Sequence, residues 1–300
     1  MPQDGAEIIG PTSSFFVSQR LRLHFVDWGN EQAPPLVLLH GGRDHARSWD
    51  FVARELRRDF HVIAPDLRGH GDSTHVAGGN YALAEFVLDL ARLLEALPGV
   101  PVSLVGHSLG GAVVLQYAGV HPERVQKVVA IEGLGPSPEL RQRLLAVSAP
   151  ERIRAWIEEM RSLAGRVPRR YATLEEAAKR MREENARLSP ELALHLTRYG
   201  VARNEDGSFS WKFDNAIRGR SPTRPDFGEV EALWSNIRCP VLLVRGTESW
   251  ASDPEKDGRM RPFRDARLAN VEGAGHWVHH DRPSDFLGLV RAFLSGPDQG

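Results

Sequence analysis

A serine in the segment Gly106-His107-Ser108-Leu109-Gly110 is the strongest candidate nucleophile in this 300-residue sequence. The segment follows a short apolar run at 102–105 and precedes a run with helical periodicity at 112–119. A strand, a sharp turn and a helix in this order lift the serine hydroxyl above the carboxyl edge of a sheet. The amides at the start of the helix can then stabilise negative charge that develops during an attack. The spacing therefore predicts nucleophilic catalysis by Ser108.

Short apolar segments alternate with helical patterns through the first 130 residues, and these segments are the elements that must position Ser108. The predicted strands are 21–28, 36–39, 61–64, 102–105 and 128–131. The middle strands are apolar at consecutive positions, as parallel strands covered on both faces are. A helix is predicted over 81–97, with Asn80 as its N-cap and Pro98-Gly99 as its stop. Alternating strands and helices indicate an α/β fold with right-handed crossovers.

The pattern changes at about residue 136. Residues 136–234 show helical periodicity and a small hairpin around Asn204-Glu205-Asp206-Gly207, but no convincing buried strand. Strands return at 241–245 and near 267–271, and an amphipathic helix is predicted over 283–294. The sequence thus predicts one α/β core, residues 1–135 and 236–300, interrupted by a mainly helical segment, residues 136–235.

With these elements in place, the sequence resembles the α/β-hydrolase superfamily. His40-Gly41-Gly42, directly after the strand 36–39, is similar to the oxyanion loop of that family. The resemblance implies a mostly parallel central sheet with helices on both faces and a helical cap inserted after the sixth strand. It also implies that the backbone N–H groups of Gly42 and Leu109 form an oxyanion hole. The segment 66–73 resembles the turn that follows the fourth strand in that family, and we expect this turn to have a structural role.

The general base is expected late in the chain, because this fold places its triad in the order serine, acid, histidine. Gly273-Ala274-Gly275-His276-Trp277 follows the last predicted strand and resembles the G-x-G-H loop of the family. We therefore predict that His276 is the base. His279 and His280 lie close by in the sequence, as surface or pocket residues.

The acid is where the sequence departs from the family pattern. Most members carry an aspartate after the seventh strand, but here that position holds Ser249. We predict that the acid is Glu132, because a carboxylate directly after the apolar residues 128–131 would need a buried partner, and an imidazole can supply one. Glu248 and Asp253 are alternative acids, and Glu132 could instead begin an exposed loop.

The resemblance implies a serine esterase that forms an acyl-enzyme on Ser108 and needs no metal or organic cofactor. Epoxide hydrolases and haloalkane dehalogenases of this fold use aspartate at that position, so both are disfavoured. The alternatives are a carbon–carbon bond hydrolase or an acyltransferase on the same triad, or a ligand-binding member without catalysis. The residues predicted to contact substrate are His107, Trp156, Trp211 and Trp277, the cap residues among them lining an apolar pocket.

The resemblance implies a small-molecule ester as the partner, and composition argues against nucleic acid and membranes. Lysine and arginine number 38 against 39 aspartate and glutamate, a formal net charge of -1, so no strong field attracts nucleic acid or anionic lipid. The single cysteine, Cys239, has no internal disulfide partner. The N-terminal residues do not resemble a signal peptide, and no run reaches the ~18 apolar residues of a membrane span. We expect a cytoplasmic protein that does not act at a membrane.

Overall fold

A computed structural model describes residues 10–78, 81–97, 101–219 and 222–296. Its strands are β1 (Thr12–Ser18), β2 (Leu21–Asp27), β3 (Pro35–Leu39), β4 (His61–Pro65), β5 (Val102–His107), β6 (Val125–Ile131), β7 (Val201–Arg203), β8 (Phe209–Trp211), β9 (Val241–Gly246) and β10 (Ala266–Val271). Eight of them form one sheet in the order β1-β2-β4-β3-β5-β6-β9-β10. In this sheet β1 pairs with β2 and β2 with β4 in antiparallel, and the pairs among β4, β3, β5, β6, β9 and β10 are parallel. The pair of β7 and β8 is antiparallel.

The helices are α1 (Asp50–Leu56), α2 (Leu83–Glu95), α3 (Leu109–Val120), α4 (Pro138–Ala146), α5 (Ala149–Ala164), α6 (Leu174–Glu184), α7 (Pro190–Gly200), α8 (Phe227–Asn236), α9 (Pro254–Asp257), α10 (Val278–Asp281) and α11 (Pro283–Ser295). Short 3₁₀ turns occupy Ala46–Trp49, Pro122–Arg124 and Asn215–Arg218. The predicted helix over 81–97 is α2. Its predicted N-cap Asn80 and stop Pro98-Gly99 lie outside the described residues, as does the extreme N-terminus.

Both faces of the sheet are covered, which explains the consecutive apolar residues in its central strands. In β3, Val37 and Leu39 belong to an apolar cluster with α2, α3 and α8, whereas Leu36 and Leu38 belong to a cluster with α1 and α11. Successive side chains of a strand point to opposite faces, so a strand buried on both sides must be apolar throughout. The predicted mostly parallel sheet with helices on both faces is confirmed.

Strand β1 was not predicted. It pairs with β2 at the edge of the sheet, and most of its side chains are exposed or half-buried. An edge strand of this kind lacks the continuous apolar run that marks the central strands. The predictions for β2 to β6, β9 and β10 agree with the structure to within a few residues at each end.

Among the described residues between β6 and β9 are five helices, α4 to α8, and the hairpin of β7 and β8. The hairpin turns at the predicted site, where the Asn204 N–H donates to the carbonyl of Ser208. Small apolar clusters hold this segment together, one around Tyr171 and Val201 and another around Leu188 and Leu196. Within the described ranges, no helix combines the length and the apolar content needed to cross a bilayer.

Candidate active site

Ser108 occupies the turn between β5 and α3 in a strained backbone conformation. Its φ of 51° and ψ of -109° lie in a region that side-chain-bearing residues rarely adopt. Such strain typically costs about 1–3 kcal/mol and persists only where the surroundings impose it. Here the Ser108 N–H donates to the carbonyl of Ile131 at 2.8 Å, and its own carbonyl accepts from the Ala112 N–H at 3.0 Å. The turn is therefore anchored on both sides.

The helix crosses the strand closely at this turn, and Gly106 makes the crossing possible. A Cβ at position 106 would lie 2.3 Å from the carbonyl oxygen of Gly110. No side chain fits there without moving α3 away from β5. The glycines of the Gly106–Gly110 segment thus permit the geometry that exposes Ser108 at the edge of the sheet.

Glu132 follows β6 immediately and is also held at a positive φ, 52°. Its side chain is fully buried, and both carboxylate oxygens accept hydrogen bonds. Oε1 accepts from the Gly246 N–H at 2.9 Å, and Oε2 accepts from the Ser249 hydroxyl at 2.7 Å. Oε2 also lies 3.3 Å from Nδ1 of His276. The buried carboxylate therefore has the imidazole partner that its burial requires.

His276 lies in the loop after β10, which packs tightly against the end of β9. A Cβ on Gly246 would lie 2.3 Å from the carbonyl oxygen of Gly275, so only glycine allows this approach. The His276 ring is 22% exposed. The Trp250 ring lies against it, with the two ring centres 4.9 Å apart. One edge of the imidazole is thus fixed by Glu132 while the rest reaches the surface of the site.

The ring of His107 contacts the backbone and the ring of His276. Its ring is almost fully buried, and its Nε2–H donates to the His276 carbonyl at 3.0 Å. Burial first, and then the neighbouring His276, lower the pKa of His107 well below its usual value, so the ring is neutral at pH 7. The structure shows this contact with the loop, and the substrate contact predicted for His107 stays a prediction.

The two alternative acids are engaged elsewhere. Glu248 is half exposed and forms an ion pair with Arg187. Asp253 accepts the Glu255 N–H at 3.0 Å at the start of α9 and lies 3.7 Å from Lys256. Among the described residues, the carboxylate bonded to His276 is that of Glu132.

The segment His40-Gly41-Gly42 follows β3 and is fixed by its histidine. The Nδ1–H of His40 donates to the Gly41 carbonyl at 2.7 Å, and Nε2 accepts from the Leu67 N–H at 3.0 Å. This pair of bonds requires a neutral imidazole, and burial lowers the pKa of His40 to about 3. A neutral His40 therefore ties the loop to the turn after β4.

That turn has the structural role favoured from the sequence. Asp66 accepts the backbone N–H groups of Ala46 and Asp72 at 2.6 and 2.8 Å and bonds to the His24 ring at 2.7 Å. Arg68 is buried and pairs with Asp89 at 2.6 Å. These bonds fix the turn to β2, to α2 and to the start of the 3₁₀ turn at Ala46, and they leave neither charged group free to act on a substrate.

A cleft of about 640 Å³, here called the catalytic cleft, brings the predicted residues together. Ser108, His276, Gly42, Leu109 and Trp277 all line it, together with His107. The predicted nucleophile, base and oxyanion amides therefore share one open space, and Glu132 is buried behind it.

A second cavity of about 410 Å³, the apolar pocket, opens on another side of Ser108. Most of its surface comes from apolar side chains, including Leu109, Ala112, Leu134, Leu140, Leu243 and Trp250. Sequence reasoning missed it, because apolar residues at the ends of β6 and β9 indicate burial but not whether the packed side chains leave a space.

A third cavity of about 400 Å³, the cationic cleft, lies between the oxyanion loop and the inserted segment. Trp211 and Trp277 line it with five arginines: Arg43, Arg166, Arg169, Arg180 and Arg218. Trp211 therefore lines a cavity with both aromatic and cationic side chains, whereas the sequence led us to expect an apolar one. Trp156 is half-buried on α5, outside the described lining of these three cavities. The cluster of arginines could not be predicted from their spacing in the sequence, because its members come from three separate segments.

Two groups of side chains have potential metal-ligating atoms within 4.8 Å of one another in the part of the chain that the structure describes. One consists of His24, Asp66 and Asp72, in which His24 is bonded to Asp66 and the Asp72 carboxylate lies 2.8 Å from Nζ of Lys212. The other consists of Asp44, His279 and His280. Neither includes Ser108, Glu132 or His276, so the candidate triad does not depend on these groups.

Comparison with known proteins places the chain in a family. The model of the alpha/beta hydrolase family matches residues 36–288, and the chain belongs to that family. An esterase of Mycobacterium tuberculosis, Rv0045c, is 29% identical over 96% of this chain and 92% of its own length. A solved structure of the M. tuberculosis esterase superposes with a TM-score of 0.75 at 26% identity, covering 95% of this chain and 92% of the other.

Two further relatives carry other hydrolase names. The 2-hydroxy-6-oxo-2,4-heptadienoate hydrolase of Pseudomonas putida is 30% identical over 92% of this chain and 93% of its own length. The sn-1-specific diacylglycerol lipase ABHD11 of Mus musculus is 28% identical over 89% and 83%. The relatives of this chain thus include an esterase, a lipase and another hydrolase, at 28% to 30% identity.

Proposed function

We propose that this protein is a serine hydrolase that cleaves carboxylic esters with Ser108 as nucleophile, His276 as general base and Glu132 as acid. The observation that carries the proposal is the buried Glu132 carboxylate bonded to Nδ1 of His276, whose ring lines the same cleft as Ser108. A histidine that donates Nδ1–H to a carboxylate keeps Nε2 free to accept a proton. That is the tautomer a general base requires.

In the proposed reaction, His276 Nε2 removes the proton of the Ser108 hydroxyl as Oγ attacks the ester carbonyl. The backbone N–H groups of Gly42 and Leu109 donate to the resulting oxyanion. His276 then protonates the leaving alcohol, and water hydrolyses the acyl-enzyme by the same steps. Glu132 stabilises the imidazolium that forms twice in each cycle. Because these residues complete the reaction, the proposal includes no metal or organic cofactor.

The arrangement of the chain fits this chemistry. In the proposal, residues 1–135 and 236–300 form the catalytic core and residues 136–235 form a cap over it. The apolar pocket suits the hydrocarbon part of a small to medium ester, because its lining is mostly apolar and it opens at Ser108. A small-molecule ester substrate and a cytoplasmic location, supported by the lone Cys239, are parts of the same proposal.

The test is hydrolysis of a p-nitrophenyl ester series, from acetate to octanoate, by the purified protein. We expect turnover that is abolished in Ser108→Ala, and labelling of the native protein but not of that variant by a fluorophosphonate. Full activity in Ser108→Ala would overturn the assignment of the nucleophile. A folded native protein with neither turnover nor labelling would favour a ligand-binding role without catalysis.

A carbon–carbon bond hydrolase is the second candidate, favoured by the relative from P. putida. The substrate in that relative's name contains a ketone and a carboxylate but no ester, so its hydrolysis must break a carbon–carbon bond. The same serine and histidine can serve either reaction. Analysis of the products from a 2-hydroxy-6-oxo-dienoate and from a matched ester separates the two functions. Added alcohols, as competing acceptors, reveal acyl transfer.

A further inference from the structure

The cationic cleft concentrates positive charge in a protein whose net charge is close to zero. Its five arginines face one acidic lining residue, Glu184, whereas the whole chain has a formal net charge of -1. Arg180 lies 2.9 Å from Glu184, so that carboxylate is already engaged. The cluster is therefore a local feature and not a consequence of a basic composition.

Arg43 and Arg218 are placed to act on a substrate, because both line the catalytic cleft as well as the cationic cleft. Gly42, a candidate oxyanion donor, lines both cavities too and directly precedes Arg43. In the part of the chain that the structure describes, neither arginine forms an ion pair with a carboxylate. Their charges thus face the same cleft as Ser108 and His276.

The protein holds these charges together against their mutual repulsion. The pKa of Arg218 is lowered, first by partial burial and then by the nearby guanidinium groups of Arg43 and Arg166, against a smaller opposing effect of Glu184. Arg43 is also held at a φ of 64°, a conformation uncommon for a residue with a side chain. The repulsion between the guanidinium groups is relieved when an anion binds between them.

We propose that the substrate carries an anionic group, a carboxylate in its simplest form, which Arg43 and Arg218 bind while the scissile carbonyl lies at Ser108. The proposal rests on the proposed esterase function and names its substrate class. Guanidinium groups suit this task because their paired N–H donors match a carboxylate and stay charged at any physiological pH. The apolar pocket then receives the uncharged end of the same molecule.

Two pairs of matched esters test the proposal and locate the charge. The first pair is mono-4-nitrophenyl glutarate and 4-nitrophenyl pentanoate, which differ by a carboxylate on the acyl part. The second pair is 4-(pentanoyloxy)benzoate and 4-(pentanoyloxy)benzamide, which differ on the alcohol part. In at least one pair we expect kcat/KM for the anionic ester to exceed that for the neutral ester about tenfold or more, and the ratio to fall as salt is raised.

The double variant Arg43→Gln/Arg218→Gln should bring that ratio close to one. The matched control is Arg54→Gln, an exposed arginine on α1, which should keep the native ratio. A native ratio of one or less in both pairs, or a ratio that the double variant leaves unchanged, would overturn the proposal. If neutral esters are cleaved with a Ser108-dependent rate in that case, the esterase function stands and only the substrate class is wrong.

Binding to Ser108→Ala separates anion recognition from turnover altogether. Calorimetric titration with benzoate and with benzamide should give a Kd at least about tenfold lower for the anion, and the difference should disappear when Arg43→Gln/Arg218→Gln is added. Equal binding of benzoate and benzamide would contradict the proposal even if no ester were ever hydrolysed.

Discussion

The hydroxyl of Ser249 donates a 2.7 Å hydrogen bond to Oε2 of Glu132, the oxygen that also faces His276. Ser249 stands at the position where the family resemblance leads one to expect the acid. The two positions are therefore adjacent in space although they follow different strands, β6 and β9. The serine does not leave a gap in the site, because it completes the hydrogen bonding of a carboxylate supplied from the neighbouring strand.

Because positions 132 and 249 are adjacent, we predict that the acid of the triad can be moved from position 132 to position 249. In Glu132→Gln the imidazolium loses its carboxylate, and kcat should fall about 100-fold or more. Adding Ser249→Asp to that variant returns a carboxylate within reach of His276 and should recover about tenfold or more. Ser249→Asp alone places two carboxylates side by side in a buried setting and should lower stability. Steady-state kinetics and urea unfolding of the three variants check this, and a double variant no faster than Glu132→Gln would count against it.

Substitution of the two alternative acids by their amides gives matched controls for Glu132→Gln. Glu248→Gln and Asp253→Asn each remove one carboxylate from the same region, but their partners are Arg187 and the start of α9, so kcat should stay within about threefold of the native value. A threefold change corresponds to less than about 1 kcal/mol in the barrier. The reverse ranking, with Glu132→Gln nearly native and Asp253→Asn inactive, would move the acid to position 253.

Strain at Ser108 predicts a gain in stability at the expense of function. Ser108→Gly should raise the free energy of unfolding by about 1 kcal/mol relative to Ser108→Ala, because glycine relieves strain at a φ of 51° although it adds entropy to the unfolded chain. Both variants lack the nucleophile, so neither should turn over esters. Urea denaturation of the pair measures the difference, and equal midpoints would show that the turn is not strained.

Buried histidines predict that stability falls with acid. Burial lowers the pKa of His40 and His280 to about 3 and that of His70 to about 4. The unfolded chain therefore binds more protons than the folded protein below about pH 6.5, and stability is lost as the pH falls from there towards 4. Each group contributes at most about 1.4 kcal/mol per pH unit.

The free energy of unfolding at pH 7.5, 6.0 and 5.0 measures this loss. In His70→Gln one of the titrating groups is gone, so the slope below pH 6.5 should decrease. A free energy of unfolding that does not change between pH 7.5 and 5.0 would contradict the assignment of neutral histidines.

The apolar pocket predicts a chain-length effect. Ala112→Leu adds a larger side chain to the pocket lining on α3, so kcat/KM for an octanoate ester should fall about tenfold relative to that for acetate. Ala149→Leu makes the same change at an exposed position at the start of α5 and should leave the ratio of the two substrates unaltered. An unchanged octanoate-to-acetate ratio in Ala112→Leu would place the hydrocarbon chain elsewhere.

The sequence alone was sufficient to predict the α/β core, the turn at Ser108 and the loop of His276, because each is a local pattern. A strand buried on both faces must be apolar at consecutive positions, and a close strand-to-helix crossing needs glycine beside the serine. The contact between His276 and Glu132 is different, since 143 residues separate them in the chain. Their loops meet because β6 pairs with β9 and β9 pairs with β10, all in parallel. The choice among Glu132, Glu248 and Asp253 as the partner of His276 therefore needed the tertiary structure.

The same holds for the cavities. Apolar residues in 128–134 and 241–244 indicate burial, yet whether they fill their space or leave an apolar pocket depends on packing between elements distant in sequence. The cationic cleft gathers arginines from the oxyanion loop, from the segment between α5 and α6 and its neighbour α6, and from the 3₁₀ turn at Asn215–Arg218. No local pattern links them. The sequence determined which groups perform the chemistry, and the tertiary structure decided which of them meet and what molecule they can hold, because charge and shape at a site depend on distances in space and not along the chain.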